Sequence, residues 1–231
     1  MRTFLRWLGR VLLFGLVDIM AYQMWLHAHI WYWVDHNPAS SAFMDARARE
    51  LRRENPPRRI QFQWIDYQSV SPQLKRALIA SEDAKFLAHD GFDWEEIEKA
   101  YNKNLKKGRI VAGGSTISQQ LAKNLFLTRE RTPWRKGQEA LITLMIERMM
   151  SKRRILEIYM NVIEWGDGVF GAQAAAVHYF GTDARRLNAA QAAKLAAMVP
   201  NPRYYDRHRN ARGLQRKTRI IQARMASAVV P

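Results

Sequence analysis

The chain has 231 residues, 48% of them hydrophobic, no cysteine, and a formal net charge of +16. That length suits one domain of roughly 200 residues plus an appendage, and the missing thiols exclude disulfides, thiolate catalysis and cysteine-held zinc or iron–sulfur centres. So basic a chain points to an anionic partner: nucleic acid, a membrane surface or a phosphorylated substrate.

Arg2, Arg6 and Arg10 precede a mostly apolar run from Val11 to about Val34. Crossing the hydrocarbon takes about 20 residues, so this run is long enough to span a bilayer. It lacks the short apolar region and small-residue cleavage site of a signal peptide, so the expectation is an uncleaved anchor. The preceding arginines put the N-terminus in the cytoplasm and the rest of the chain outside. Trp31, Tyr32 and Trp33 suit the far interface. Asp18 interrupts the run at a cost of about 2.5 to 3.5 kcal/mol, and calls for a partner helix or a proton. An amphipathic helix lying on the membrane surface is the alternative.

The domain plan that follows is 1–36 basic tip and anchor, 37–57 linker and juxtamembrane helix, and 58–231 a single domain. The charged helix from Phe43 to Glu54 is expected to lie exposed, ended by Pro56 and Pro57. Between Arg58 and Val70, Ile60, Phe62 and Trp64 alternate with Arg59, Gln61 and Gln63, which predicts a short strand. Ser71 as N-cap and Pro72 at N1 predict a helix to about Ala88, stopped by Gly91. Asp93 and Glu96 form a capping-box pattern for a helix to about Lys107. A loop holding Gly108, Gly113 and Gly114 precedes a second such pattern, Thr116 to Gln119, opening a helix through Phe126. Thr132-Pro133 opens a long helix to about Met150, and another follows from Arg154 to Asn161. Glu164 to Gly171 reads as a glycine-rich loop. Helices are expected over Ala172–Tyr179, Asn188–Met198 and Asn210–Ala228. The class is mainly α.

Four stretches carry candidate chemistry. In Ile79 to Gly91, helical spacing would put Glu82, Phe86 and His89 on one face, with Asp83 about 100° away. An aromatic beside a carboxylate raises its pKa and makes it a better base. A solvated helix end with Phe86 in the core is the plainer alternative. In Gly113 to Gln120, two glycines before a helix N-terminus allow an anion to approach free N–H groups, and an ordinary capped loop is the alternative. Lys123, Arg131, Arg135 and Lys136 form a cationic pocket suited to phosphate, with Glu139 a second acid opposite Glu82. Arg135 and Glu139 would otherwise pair on a solvated helix face. Lys152 to Asn161 reads as structural, burying Ile155 and Tyr159, with Glu157 holding Arg153 or Arg154.

Taken together and in order, Glu82-Asp-x-x-Phe86-x-x-His89-x-Gly91, Gly113-Gly-Ser-Thr-Ile-Ser-Gln-Gln120, Arg135-Lys-x-x-Glu139 and Lys152-x-x-Ile-Leu-Glu157-x-Tyr-Met-Asn161 resemble the motif set of the peptidoglycan glycosyltransferases, glycosyltransferase family 51. Tyr179-Phe-Gly181 and Leu195 to Pro200 resemble its closing motifs. The resemblance covers about residues 60 to 205. With no transpeptidase before the chain ends at Pro231, it is to the monofunctional branch. Gln191 stands where many relatives carry Glu, and fits a capping box with Asn188. Ser118 replaces a common Thr and keeps the hydroxyl.

The resemblance implies a lysozyme-like, two-lobed α fold with a cleft lined by Glu82 and Glu139. The implied reaction polymerises lipid II into glycan strands for the bacterial cell wall, forming β-1,4 bonds with inversion and releasing polyprenyl diphosphate. Glu82 would be the general base. Lys123, Arg131 and Arg135, with Lys136 beside them, would bind the leaving diphosphate. Glu139 would organise that pocket, with a divalent cation such as magnesium or manganese as a candidate cofactor and no nucleotide. Ser115, Thr116, Gln119 and Gln120 would hold sugars or phosphates, and Asp83, Phe86 and His89 would line the base's surroundings. Expected partners are lipid II, the growing strand, the membrane and other cell-wall synthesis proteins, with no nucleic acid. The expected location is the inner membrane, single-pass, catalytic domain on the periplasmic side. A murein-cleaving enzyme of similar fold and a non-enzymatic, basic, membrane-anchored binding module are the two rivals.

Overall fold

The computed structural model describes residues 2–109, 111, 113–130 and 132–231, and contacts divide the chain after Asn37. The first unit is one helix, α1 (Arg2–Asp35). Within it Arg6–Asp35 is long and apolar enough to cross a membrane. At 1.5 Å per residue the whole helix runs about 50 Å, more than the roughly 30 Å of hydrocarbon it would have to cross. Leu12, Phe14, Val17 and Met20 are exposed along it, as lipid-facing side chains would be.

The second unit is built from ten helices and a small sheet among the described residues. Helices α2 (Ala42–Arg52), α3 (Pro72–Glu82), α4 (Trp94–Lys107), α5 (Ile117–Phe126), α6 (Pro133–Met149) and α7 (Lys152–Val162) come first. Then follow α8 (Ala172–Phe180), α9 (Ala189–Met198), α10 (Pro202–Arg207) and α11 (Arg212–Arg224). Helices α3, α9 and α11 pack as one group, and α5, α6 and α7 as another. Leu74, Leu78, Ile117, Leu121, Ile142, Ile146, Tyr159, Leu195 and Met198 are buried in these contacts. The mainly α class therefore holds.

Local signals fix most helix starts. Thr116 accepts from the Gln119 N–H while Gln119 accepts from the Thr116 N–H, and Asn188 and Gln191 repeat the arrangement at α9. Ser71, Thr132 and Ser151 cap α3, α6 and α7, the first two with Pro at the next position. Asp93 caps α4 through the Glu96 N–H, and Gly108 ends it in a left-handed conformation (φ 61°).

Five expectations change. The strand expected over 58–70 is only β1 (Gln61–Phe62), followed by a 3₁₀ turn at Tyr67–Ser69. The glycine-rich loop at 164–171 is a hairpin, β2 (Glu164–Gly166) and β3 (Val169–Phe170), in a sheet ordered β1-β3-β2 with β1 parallel to β3. Every residue of β2 and β3 is buried, so neither shows the alternation of a half-exposed strand. Helix α2 is not exposed: it packs on α5 and buries Met44 and Leu51. Its buried Arg47 is met by Glu50, Glu54 and Asp167, so charges that suggested solvent are paired with one another. The C-terminal helical stretch is shorter than expected, and α10 precedes it.

The fifth change concerns the segment after Ser71. Helix α3 ends at Glu82, not near Ala88, and Asp83 leaves helical geometry (φ −163°, ψ 77°). Its carboxylate accepts from the Ile117 N–H (3.0 Å) and meets His89 Nε2 (2.9 Å). An anion at the start of α5 satisfies one of that helix's orphan donors, and this long-range bond outweighs continued helix.

Gly114 explains the glycine pair differently from an anion loop. A Cβ there would lie 2.8 Å from Ile97 Cα and 3.0 Å from Ile97 N, so the chain passes directly against α4. Gly114→Ala is expected to cost about 1 to 3 kcal/mol by overpacking, read as a lowered Tm. Gly113→Ala, with nothing within 4 Å of its Cβ, serves as the control, and equal Tm values for the two would refute the contact.

Candidate active site

Glu82 is the last residue of α3, partly buried where α3 meets α5. Its Oε2 accepts from Gln120 Nε2 (2.9 Å), and Gln120 Oε1 accepts from the hydroxyl of fully buried Tyr159 (2.9 Å). This relay fixes which way the Gln120 amide points and so how Glu82 is held. Burial pushes the Glu82 carboxyl above the usual glutamate range, against the Gln120 hydrogen bond and the charges of Lys217 and Lys123. Apolar groups sharing a cavity with Glu82 are Ala196, Ala197, Ile220 and Ile221, on α9 and α11.

Gln120 also lines a cleft of about 400 Å³ whose wall holds Lys123, Arg129, Arg135 and Arg203 against one carboxylate, Glu164. Burial lowers the Lys123 ammonium below the usual lysine range, Glu139 and Glu82 opposing and Arg135 and Lys136 reinforcing. Of the arginines lining this cleft, Arg135 Nε and Arg203 Nη2 are buried with no hydrogen-bond partner among the described residues. Unpaired buried donors of this kind are costly, and an anion entering the cleft would relieve them.

The second acid has a narrower place than expected. Glu139 is buried, and its two oxygens are taken by Arg135 Nη1 (2.6 Å) and Lys136 Nζ. It fixes the Arg135 fork at the cleft wall. Lys136 is half exposed and does not line the cleft. Arg131 lies outside the described residues. With both Glu139 oxygens in ion pairs, and no cluster of three His, Asp or Glu among the described residues, the side chains present do not fit a protein-held divalent cation.

Several residues expected at the substrate make contacts within the fold. Asp83 joins α5 and His89, as above. His89 Nδ1 accepts from the Gly91 N–H (3.1 Å), so Nε2 carries the proton it donates to Asp83. Phe86 is fully buried, with Lys152 Nζ 4.8 Å from its ring centre. The Glu82–Phe86–His89 face does not exist, because the helix has ended. The Thr116 hydroxyl and the Gln119 side-chain oxygen serve the capping box, and the hydroxyl also donates to the Gly91 carbonyl (2.7 Å). The start of α5 therefore holds the chain's own Asp83 carboxylate rather than an open anion site. Ser115 is exposed beside it. The Lys152–Asn161 stretch is structural as expected: Glu157 pairs with Arg154 (2.7 Å), and buried Asn161 brackets the Ile65 N–H and C=O (2.9 Å each).

Sequence reading missed Arg129, Glu164 and Arg203. Glu164 Oε2 meets Arg129 Nη2 (2.9 Å), and its Oε1 meets Arg203 Nε (2.9 Å), while Arg203 Nη1 reaches Glu50 (3.2 Å). Arg203 is the second residue of α10 and Glu164 starts β2, both elements the sequence did not signal. The only available hint was the Pro200-Asn-Pro202 turn beside Arg203.

Comparison with known proteins follows the same lines. The family model described as Transglycosylase matches residues 48–226. A "Biosynthetic peptidoglycan transglycosylase" of Methylobacillus flagellatus is 66% identical over 222 residues, covering 96% of this chain and 97% of the relative. One of the same description from Laribacter hongkongensis is 63% identical over 227 residues, covering 98% and 100%. A third, from Chromobacterium violaceum, is 61% identical over 226 residues, covering 98% and 99%.

Proposed function

The chain belongs to the transglycosylase family, and from that footing we propose that it polymerises lipid II into peptidoglycan strands by inverting glycosyl transfer. The observation that carries the reading is Gln120, which holds Glu82 with one end of its amide and lines the basic cleft. A proton acceptor and a set of cations are thereby one side chain apart.

Glu82 would take the proton from the 4-hydroxyl of the acceptor's N-acetylglucosamine as that oxygen attacks C1 of the donor's N-acetylmuramic acid. The C1–oxygen bond to the α-linked lipid diphosphate breaks, the pair of electrons leaves with the diphosphate, and a β-1,4 bond forms. Lys123, Arg129, Arg135 and Arg203 would meet the charge growing on the leaving group, fixed before the reaction and partly desolvated, the condition in which such stabilisation is largest. Glu139 would keep Arg135 aimed into the cleft. A carboxyl raised by burial is a stronger base once ionised, so the acid limb of kcat/KM is expected above the ordinary glutamate range.

A murein-cleaving enzyme needs a carboxylic acid but has no use for four cations around a cleft, and a binding module needs no base. The test is the full-length protein in detergent with lipid II. Long glycan with release of polyprenyl diphosphate is expected. Soluble fragments from finished murein, with no polymer from lipid II, would overturn the reading.

For location, α1 supports a single-pass anchor in the bacterial inner membrane, with Arg2, Arg6 and Arg10 inside and the domain on the periplasmic side, where other cell-wall synthesis proteins would be met. A reporter that matures only outside the cytoplasm is expected to be active when fused after Pro231. Activity of a cytoplasm-only reporter there would reverse the topology.

A further inference from the structure

Helix α11 lies beyond the motifs that carry the site, yet it forms part of the wall around Glu82. Leu214, Lys217 and Ile221 fall at i, i+3 and i+7, one stripe along the helix, and its two apolar members are buried. Lys217 is itself exposed and sits at the edge of the stripe that α11 turns toward α3 and α9. A second cavity, of about 160 Å³, is lined there by Ser81 and Glu82, by Ala196 and Ala197, and by Lys217, Ile221 and Arg224. Lys217 makes no hydrogen bond or ion pair with any described residue.

We propose that Lys217 is a positioning residue for the reaction: facing Glu82 across this cavity, it is the counter-charge that keeps the base ready to accept a proton. The proposal rests on Glu82 being the base. The groups facing Glu82 can be enumerated. Gln120 gives it a hydrogen bond, Ser81 lies beside it with its hydroxyl donating to the Leu78 carbonyl (3.2 Å), and Lys123 acts from the basic cleft. Tyr159 reaches it through Gln120. Helix α9 offers only alanines to this cavity, and α11 offers Lys217 and Arg224. The neighbouring Asp83 carboxylate is turned away to Ile117 and His89. Of the two lysines acting on Glu82, Lys217 has the larger pull. Glu82 is partly buried and Lys217 is exposed, so the attraction is that of a solvent-screened pair and is modest in size. Lys123, by contrast, lines the basic cleft and would meet the diphosphate during turnover, which leaves Lys217 and Arg224 as the cations on the other side of the base.

The sign follows from the chemistry. A cation favours the carboxylate over the carboxylic acid, so removing it moves Glu82 further up. In full-length protein assayed on lipid II in detergent, Lys217→Met is expected to shift the acid limb of kcat/KM upward by about half a pH unit, which is about a threefold loss below the limb and little loss on the plateau. Lys217→Arg should restore the wild-type limb. Arg219→Met removes the same charge from another face of α11 and should leave the limb where it is. Raising the salt should shrink the Lys217→Met difference. Lys217→Gln replaces Lys217→Met if the latter fails to melt cooperatively. A Lys217→Met profile that overlays the wild type, an equal loss at every pH, or an equal shift in Arg219→Met would each overturn the proposal. Glu82→Gln in the same assay separates the two levels: if it keeps activity, the base assignment has failed, whereas an inactive Glu82→Gln beside an unshifted Lys217→Met removes only the role of Lys217.

Discussion

Glu82→Gln is expected to abolish polymerisation while leaving a folded protein. The amide keeps the shape of the side chain, and its oxygen still accepts from Gln120, so the relay to Tyr159 survives. What is lost is the ability to take a proton, and removing a positioned general base typically costs about 10² to 10⁴ in rate. The Tm is expected to stay or to rise, because a partly buried carboxylate carries a desolvation cost that an amide does not. That opposition of a lost rate and a kept or raised Tm is the signature of a residue retained for chemistry. The measurement is initial-rate polymerisation of lipid II beside a thermal melt, and activity within threefold of wild type would sink the assignment.

Lys123→Ala should weaken binding of ligands bearing a diphosphate far more than binding of uncharged glycan. Lys123 lines the cleft beside Gln120, and burial already costs its ammonium. A ligand phosphate would replace the lost water and give one charge-assisted contact of roughly 1.5 to 3 kcal/mol, or about ten- to more than a hundredfold in Kd. Arg135→Ala is the less clean probe. It removes a cleft cation, but it also leaves the buried Glu139 carboxylate with Lys136 alone, so part of its effect is expected as lost stability. Calorimetric titration of each variant with a diphosphate analogue and with an uncharged oligosaccharide separates the two cases. Equal losses for both ligands in Lys123→Ala would refute the phosphate role.

The sequence by itself determined the mainly α class, the anchor candidate and nearly every helix start. These are local properties. A capping box spans four residues, a helical stripe seven or eight, and an apolar run about 20, so each is complete within one stretch of chain. For the same reason Glu82, Gln120, Lys123 and Arg135 were visible: they lie on helices α3, α5 and α6, whose spacing and caps place them. What failed were inferences about what a local pattern faces. The periodicity joining Glu82, Phe86 and His89 assumed a helix that Asp83 ends by bonding to Ile117, a residue 34 positions away. The charges of α2 read as solvent-facing although Asp167 and its own glutamates neutralise Arg47. The glycine pair before α5 looked open to an anion, but Gly114 abuts α4 and Asp83 occupies the helix end. Only the tertiary structure could assign Arg129, Glu164 and Arg203 to the cleft and Lys217 to the wall behind the base, because these residues come from elements distant in sequence and carry no pattern of their own. Local hydrogen bonding and hydrophobic period specify the elements, whereas the partner of a buried charge is decided by which elements pack together.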